Sequence, residues 1–273
     1  MPVDNRYELL KERLRPYPFA VVCFSGGVDS SLLLAAAKEV LGDNVLALTW
    51  QSEVTPDSEI KSAIELAAYL GVSHQILSES FLSNKAAATN NDDRCFFCRS
   101  KMYEVIKKTV KNIDGAVIME GVNTDDLEDY RPGLRAAEKA GIDHPLVDAG
   151  LSKKDIRSIA RKIGLPNWNK EAAPCLSSRI AYGQKITTDR LNRVDAGETV
   201  LRGMGFSNVR LRLLDDIHTR VEVNVNEIPA AKARFFEINT ALCNLGFARV
   251  EIDEQGYRQG SLNEIKKRQG ITE

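Results

Sequence analysis

At 273 residues the chain is long for one domain and comfortable for two, so a larger part with a smaller appendage is expected. Its 37 Lys and Arg nearly cancel its 38 Asp and Glu, which argues against a protein that coats polyanions and leaves any nucleic-acid contact to a local patch. The N-terminus lacks a basic-then-apolar signal pattern and no apolar run approaches the ~18 residues of a membrane span, so a cytoplasmic protein without a membrane partner is expected. Five cysteines in a reducing compartment are not a disulfide framework and are read for packing, metal binding or reactivity. Cys23 and Cys243 fall in apolar patterns and read as core; Cys95, Cys98 and Cys175 remain.

In chain order, the apolar run 19–24 is bounded by a glycine turn, as a strand buried on both faces of a parallel sheet would be. A helix over 31–40 stops at Gly42, the expected C-terminal cap. The pattern repeats: strand 44–50, helix 56–70 with Pro56 at its first position, and strand 73–77. Helix 100–110 leads to strand 115–119. Ser152-Lys-Lys-Asp155 opens a further helix with a capping-box-like pattern, and 165–184 is an aperiodic connecting loop. Beyond it come helix 189–202, paired strands 209–213 and 220–225, helix 228–245 and strand 249–252. The fold class is therefore α/β: a doubly wound parallel sheet over 1–170, whose ligands sit beyond the carboxyl ends of the strands, followed by a small α+β domain over 171–273.

The turn Ser25-Gly26-Gly27-Val28-Asp29-Ser30 lies directly after a buried strand and directly before a helix, where backbone N–H groups and the helix N-terminus converge on an anion. The Walker pattern and the G-x-G-x-x-G fingerprint are both absent from this turn. It resembles the signature of the PP-loop family, which splits ATP between its α- and β-phosphates. That resemblance implies that Ser25, Gly26, Gly27, Ser30 and Ser31 hold the pyrophosphate portion, with Asp29 near the phosphates and Mg²⁺. It also points to Thr49, Trp50 and Gln51 for adenine, although simple core packing of Trp50 competes. Gly121-Val-Asn123-Thr-Asp125-Asp126 follows another strand; its carboxylates would hold Mg²⁺, orient a ribose or cap a helix.

Cys95-Phe-Phe-Cys98 has a chelate spacing. With Cys175 far away in Pro174-Cys175-Leu176-Ser177-Ser178-Arg179 and no suitable fourth ligand, a three-cysteine 4Fe-4S cluster with one open iron fits better than closed zinc; free thiols or a redox pair are the alternatives. In Asn208-Val-Arg210-Leu-Arg212-Leu213 both guanidinium groups leave one face of a strand, forming a phosphate clamp, and Glu222 on the neighbouring strand faces them as a cross-strand partner.

Together with Tyr130-Arg131-Pro132-Gly133 and Gly256-Tyr257-Arg258-Gln259-Gly260-Ser261, these motifs resemble the LarE family along essentially the whole chain. The resemblance implies an ATP-dependent sulfur transferase of nickel-pincer nucleotide cofactor biosynthesis. Such an enzyme adenylylates a carboxylate of pyridinium-biscarboxylic acid mononucleotide, expels pyrophosphate and inserts sulfur. One branch sacrifices the cysteine matching Cys175; another carries sulfide on a cluster, and the three cysteines place this chain there, with a separate sulfide donor. It further implies that Arg210 and Arg212 bind the substrate phosphate, that Glu198 and Glu222 stand at metal-associated positions, and that the protein is a homo-oligomer such as a hexamer. Lys101, Ser178 and Arg179 are expected to steady the carboxylate or the adenylate phosphate. A PP-loop tRNA thiolase, an ammonia-using synthetase and a nucleotide- or redox-sensing module are the rival functions, and the near-neutral charge disfavours the first.

Overall fold

The computed structural model describes residues 3–128, 132–258 and 261. Tyr130, Arg131, Gln259 and Gly260 of the expected motifs lie outside the described residues. In the first half of the chain the elements are α1 (Val3–Leu14), β1 (Phe19–Cys23), α2 (Val28–Leu41), β2 (Val45–Gln51), α3 (Asp57–Tyr69), β3 (Ser73–Ser78), α4 (Lys85–Ala88), α5 (Arg94–Val110) and β4 (Ala116–Glu120). There follow α6 (Pro132–Ala140), α7 (Pro145–Asp148), α8 (Lys153–Lys162), α9 (Thr188–Gly203), β5 (Arg210–Leu213), β6 (His218–Glu222), α10 (Ile228–Ala233), α11 (Phe235–Cys243) and β7 (Arg249–Ile252). The chain forms two compact units, residues 1–80 with 95–173, and residues 81–94 with 174–273. The break in the second half thus falls three residues beyond the expected 170, and a short early segment joins the second unit.

The first unit is built on four parallel strands in the order β3-β2-β1-β4. Strand alternation divides its core in two, since successive side chains leave opposite faces. Ala20, Val22, Val45 and Ala47 pack with Leu10, Leu33, Leu146 and Ile156 of α1, α2, α7 and α8. Val21, Leu48 and Ile118 face Tyr103, Ile106 and Ala136 of α5 and α6. Because β2 and β4 flank β1, the crevice at the carboxyl ends of β1 and β4 is the topological switch point where such sheets bind ligands.

Two glycines close that crevice. Gly26 has φ of 70° and its absent Cβ would lie 3.1 Å from the Ala63 backbone; a Cβ on Gly121 would lie 2.6 Å from Ser30 N. The loop after β4 can therefore abut the first turn of α2 only as glycine.

The second unit carries a three-stranded sheet, β5 and β6 antiparallel and β6 and β7 parallel. The 81–94 segment is fastened by Asn90, which is fully buried in a left-handed conformation with φ of 62°. Its Nδ2 donates to the carbonyls of Ile180 (3.2 Å), Ala181 (2.8 Å) and Gln184 (2.9 Å).

Some expected boundaries shift for physical reasons. Helix α2 starts at Val28, before Ser31, because Ser30 and Ser31 bond back to the Gly27 carbonyl within the first turn. Pro56 is the N-cap of α3, one place before its first residue. Helix α5 begins six residues before the expected 100, since Phe96 packs against the second core and pulls the Cys-Phe-Phe-Cys run into helix. The helix expected over 228–245 breaks at Arg234, whose Nη1 bonds the Met204 carbonyl at 2.7 Å. Cys243, expected in the core, is exposed at the end of α11. The glycine cap at Gly42, the Ser152–Asp155 capping box and strand 249–252 form as expected.

Overpacking at Gly121 is expected to be costly. Gly121→Ala should lower stability by about 1–3 kcal/mol in urea unfolding, whereas Gly203→Ala, in open space within α9, should cost nothing. Equal behaviour of the two variants would refute the close approach.

Candidate active site

The PP-loop turn is held together by its own hydrogen bonds. Ser25 Oγ accepts from Gly27 N at 3.3 Å, while the Ser30 and Ser31 hydroxyls donate to the Gly27 carbonyl at 3.1 and 2.8 Å. Asn167 Nδ2 donates to the Gly26 carbonyl and to Ser31 Oγ at 3.0 and 2.9 Å. Thr49 Oγ1 ties the turn to β2 by donating to the Phe24 carbonyl at 2.7 Å, with His74 Nε2 also 2.7 Å away. Ser31 is fully buried, so its hydroxyl braces the loop from behind, and Ser25, Gly27 and Ser30 line the turn itself.

Asp29, in the first turn of α2, pairs through Oδ2 with Lys153 at the start of α8. Its Oδ1 is buried and meets no hydrogen-bond donor among the described residues. Burial pushes this carboxyl up, Lys153 pulls against it, and nearby Asp126 adds to the rise. Such a carboxylate next to a phosphate cradle suits a divalent cation.

The loop after β4 is held by its own side chains. Asn123 Oδ1 accepts from Asp125 N at 3.0 Å, Asp126 Oδ2 accepts from Asn123 N at 3.1 Å, and Asp125 Oδ2 accepts from Lys153 N at 3.1 Å. Asp125 therefore serves the α8 N-terminus, the capping alternative. Half-buried Trp50 packs beside the second core, yet its Nε1 is buried without an acceptor among the described residues.

Cys95 and Cys98 stand in the first turn of α5, three residues apart, so both thiols lie on one side of the helix. Lys101, one turn further, is 40% exposed and pairs with Glu104 at 3.3 Å. Between them, Arg99 turns inward to the buried Glu120, which also accepts from Tyr103 Oη at 2.8 Å and faces His144 Nε2 at 3.0 Å. Burial, and then the Arg99 charge, lower the His144 value. A Cβ on Gly133 would fall 2.6 Å from Arg99 Cδ, so that glycine makes room for the arginine stem. Neither this group nor Lys153 and Asn167 was read from the sequence; only the lysine carried a local signal, as the first helical residue after a capping serine.

In the second unit Cys175 is exposed, with Sγ 2.9 Å from Ser177 Oγ. Arg179 locks the loop that carries it, donating to the Pro174 and Cys175 carbonyls at 2.5 and 3.3 Å and to Ser178 Oγ at 3.1 Å. Its Nε and Nη2 grip both oxygens of Glu198, which also accepts from Leu211 N. Burial by itself would raise the Glu198 value, but the Arg179 bonds and charge outweigh it and hold it below the usual glutamate range.

Arg210 and Arg212 are both buried. Arg212 pairs with Glu222 at 2.8 Å, as the alternation suggested, and donates to the Ser178 carbonyl at 2.9 Å. Arg210 lies over the Tyr257 ring at 4.7 Å, and burial, followed by repulsion from Arg179, lowers its value. Glu198 and Glu222, the expected metal-associated positions, thus stand as arginine partners.

The three cysteines divide between the units, Cys95 and Cys98 in the first and Cys175 in the second. Among the described residues, neither unit alone gathers three His, Cys, Asp or Glu side chains in a metal-holding group. Cys23 is partly buried beside the second core, and desolvation pushes its thiol up to about 12. No described helix is long and apolar enough to cross a membrane.

A parallel sheet whose first strand ends in this serine-glycine cradle, with a half-buried aspartate in the following helical turn, defines the PP-loop class of ATP-using enzymes. The family model "QueC: Queuosine biosynthesis protein QueC" matches residues 19–112, strands β1 to β3 and the cysteine helix. The chain is 37% identical to the "Pyridinium-3,5-bisthiocarboxylic acid mononucleotide synthase" of Lactiplantibacillus plantarum, over 89% of this chain and 88% of that protein. It is 34% identical to the "Uncharacterized protein slr1717" of Synechocystis sp., over 96% and 98%, and 26% identical to the "Uncharacterized protein MJ0830" of Methanocaldococcus jannaschii, over 91% and 94%. The chain belongs to the LarE family, that of the Lactiplantibacillus synthase.

The thiol environments predict selective labelling. In iron-free protein at pH 8, Cys175 and Cys243 should alkylate in the native state and Cys23 only after unfolding; mass spectrometry of a Cys23 adduct forming as fast as that of Cys243 would contradict its burial. The Glu198 value is lowered on folding, so its stabilisation is present above the ordinary glutamate range and is lost as pH falls through the folded value. Glu198→Gln should therefore cost about 3–5 kcal/mol at pH 7, and the deficit should shrink in urea unfolding carried out in acid.

Proposed function

We propose that this chain is an ATP-dependent sulfurtransferase that converts a carboxylate of pyridinium-biscarboxylic acid mononucleotide into a thiocarboxylate. The observation that supports this best is a pre-formed PP-loop cradle in a chain related along most of its length to a pyridinium-bisthiocarboxylate mononucleotide synthase. The substrate carboxylate attacks the α-phosphorus of ATP, the bond to the β-phosphate oxygen breaks, and pyrophosphate leaves with Mg²⁺. The resulting acyl adenylate is attacked at its carbonyl carbon by sulfur, and AMP departs with the original carboxylate oxygen. Adenylylation is needed because an oxide is a poor leaving group and AMP a good one.

Ser25, Gly26, Gly27 and Ser30 cradle the pyrophosphate portion, with Ser31 bracing them. The orphaned Oδ1 of Asp29 takes the Mg²⁺, Trp50 borders the adenine, and Asn123 and Asp125 shape the ribose side. In the second unit, Arg210 and Arg212 hold the substrate phosphate as guanidinium forks, and Ser178 and Arg179 steady charge on the carboxylate and the adenylate; Lys101, in the first unit, has the same role. The first unit is the ATP-binding domain and the second binds substrate and builds a homo-oligomer, in a cytoplasmic protein supplied by a separate sulfide donor.

Cys95, Cys98 and Cys175 fit a three-thiolate 4Fe-4S cluster in donor chemistry, two from one helical turn and one from the exposed loop. When bound, such a cluster would supply sulfide for the attack on the acyl adenylate. Glu198 and Glu222 support the site through their arginines.

The test is anaerobic turnover with the pyridinium substrate, alongside absorption and EPR spectra and iron quantification. AMP and pyrophosphate should form one for one with thiocarboxylate, and Asp29→Asn should slow this by about two to three orders of magnitude. Cys95→Ala, Cys98→Ala and Cys175→Ala should each lose the cluster. Iron-free protein that thiolates once while Cys175 loses the mass of its sulfur would replace the cluster by a sacrificial cysteine. Failure of any substrate-dependent AMP formation would overturn the assignment.

A further inference from the structure

The loop that offers Cys175 has little regular structure of its own. Its 3₁₀ turn spans only Leu176–Arg179, where Ser178 N donates to the Cys175 carbonyl at 3.0 Å and Ile180 N to the Ser177 carbonyl at 3.3 Å. Further order is imposed by buried arginines. Arg179 takes the Pro174 and Cys175 carbonyls, Arg212 takes that of Ser178, and Arg94 Nη1 donates to that of Ser177 at 3.1 Å. Arg179 and Arg212 belong to the ion pairs described above. Arg94 comes from the first half of the chain, as the last residue of the 81–94 segment and the one directly before Cys95. It is 6% exposed, donates also to Asn90 Oδ1 and lies over the Tyr182 ring at 5.5 Å. Since Asn90 Nδ2 holds the carbonyls of Ile180, Ala181 and Gln184, guanidinium and amide together grip the chain from 177 to 184. Ser177 is the link to the thiol: it is buried, its carbonyl accepts from Arg94, and its hydroxyl stands 2.9 Å from Cys175 Sγ.

We propose that Arg94 is a positioning residue for Cys175, acting through Ser177: the guanidinium fixes the serine backbone, the serine hydroxyl fixes the sulfur, and the iron-ligating thiol is thereby set by the residue that precedes Cys95 in the chain. This rests on the reading of Cys175 as an iron ligand given above. An exposed cysteine on a short turn has several rotamers and backbone states, and that freedom must be given up when the sulfur is used. A guanidinium–carbonyl bond withdrawn from water is among the stronger hydrogen bonds, because the donor is charged and its planar fork is pre-organised. Placed on the residue whose hydroxyl meets the sulfur, it removes much of the freedom at the thiol itself. An arginine that only stabilised the second unit would, on removal, loosen that unit as a whole. One that positions Cys175 loosens its loop selectively and weakens the hold on iron.

The experiment joins two measurements on the full-length protein: hydrogen exchange by mass spectrometry without iron, and the rate of iron loss to a chelator after anaerobic reconstitution. The variants are Arg94→Ala, Arg94→Lys, Ser177→Ala and Arg94→Ala with Ser177→Ala. Arg94→Ala should speed exchange over 176–182 by roughly 10- to 100-fold and leave α9 unchanged. It should lose iron about tenfold faster, and Arg94→Lys should recover part of both effects. Ser177→Ala should also lose iron faster, and the double variant no faster than the worse single one, because the two residues act in series. Ile238→Val, a core truncation in the same unit, should lower the unfolding midpoint and leave both readouts as in wild type. Exchange in Arg94→Ala that equals wild type over 176–182, or that rises evenly across the second unit, would overturn the proposal. Single effects on iron loss that multiply in the double variant would overturn it too. Wild-type protein that takes up no iron would instead remove the cluster reading, and the exchange measurement, which needs no iron, would still decide the role of Arg94.

Discussion

The first unit depends on one steric constraint: the end of β4 must lie against the first turn of α2 with nothing between them. Gly121 meets it by lacking a side chain, and the same approach lets the loop 123–126 carry its carboxylates toward Asp29. Gly26 meets the matching constraint toward α3. With both sides closed, the helix N-terminus and its unpaired N–H groups are presented at a fixed place, where they favour negative charge. The cradle is therefore a product of packing, braced from behind by the fully buried Ser31.

The second unit is organised by a different physical problem, that of burying several arginines close together. Arg179, Arg210 and Arg212 cannot be taken out of water without compensation. Glu198 and Glu222 supply it, and the Tyr257 ring covers the remaining guanidinium face. The Glu222 pair fixes where Arg212 stands, the Tyr257 ring positions Arg210, and the Glu198 pair, through Arg179, fixes the backbone of the Cys175 loop. A rigid basic patch and an exposed thiol are thus held by one set of ion pairs, a suitable foundation for pre-organised recognition of a phosphorylated substrate.

What could be read in the sequence was local. The apolar run into Cys23 and the glycine pair after it identify strand, turn and helix because all three signals lie within a dozen residues. Alternation through Arg210 and Arg212 set their common face and matched Glu222 across the strands. What could not be read joins distant segments. Lys153 reaches Asp29 across 124 positions, Asn167 reaches Gly26 across 141, and Glu120 gathers Arg99 and Tyr103 from α5 and His144 from the N-cap of α7. The early start of α5 was missed because a chelate spacing and one turn of helix look alike in sequence, and the exposure of Cys243 because an apolar helical pattern does not say where its last residue points.

The course of the chain through its two units has a consequence for how the protein can be divided. It leaves the first unit after Ser80, returns at Cys95 and leaves again after Ala173. The excursion is held by Asn90, whose amide fills three carbonyls that lie about ninety residues ahead. A fragment ending near residue 173 would strand that amide with no acceptors, and a fragment beginning there would leave the carbonyls of Ile180, Ala181 and Gln184 bare. The units are compact, but they are not modules. A gene cut at the obvious place yields two incomplete proteins.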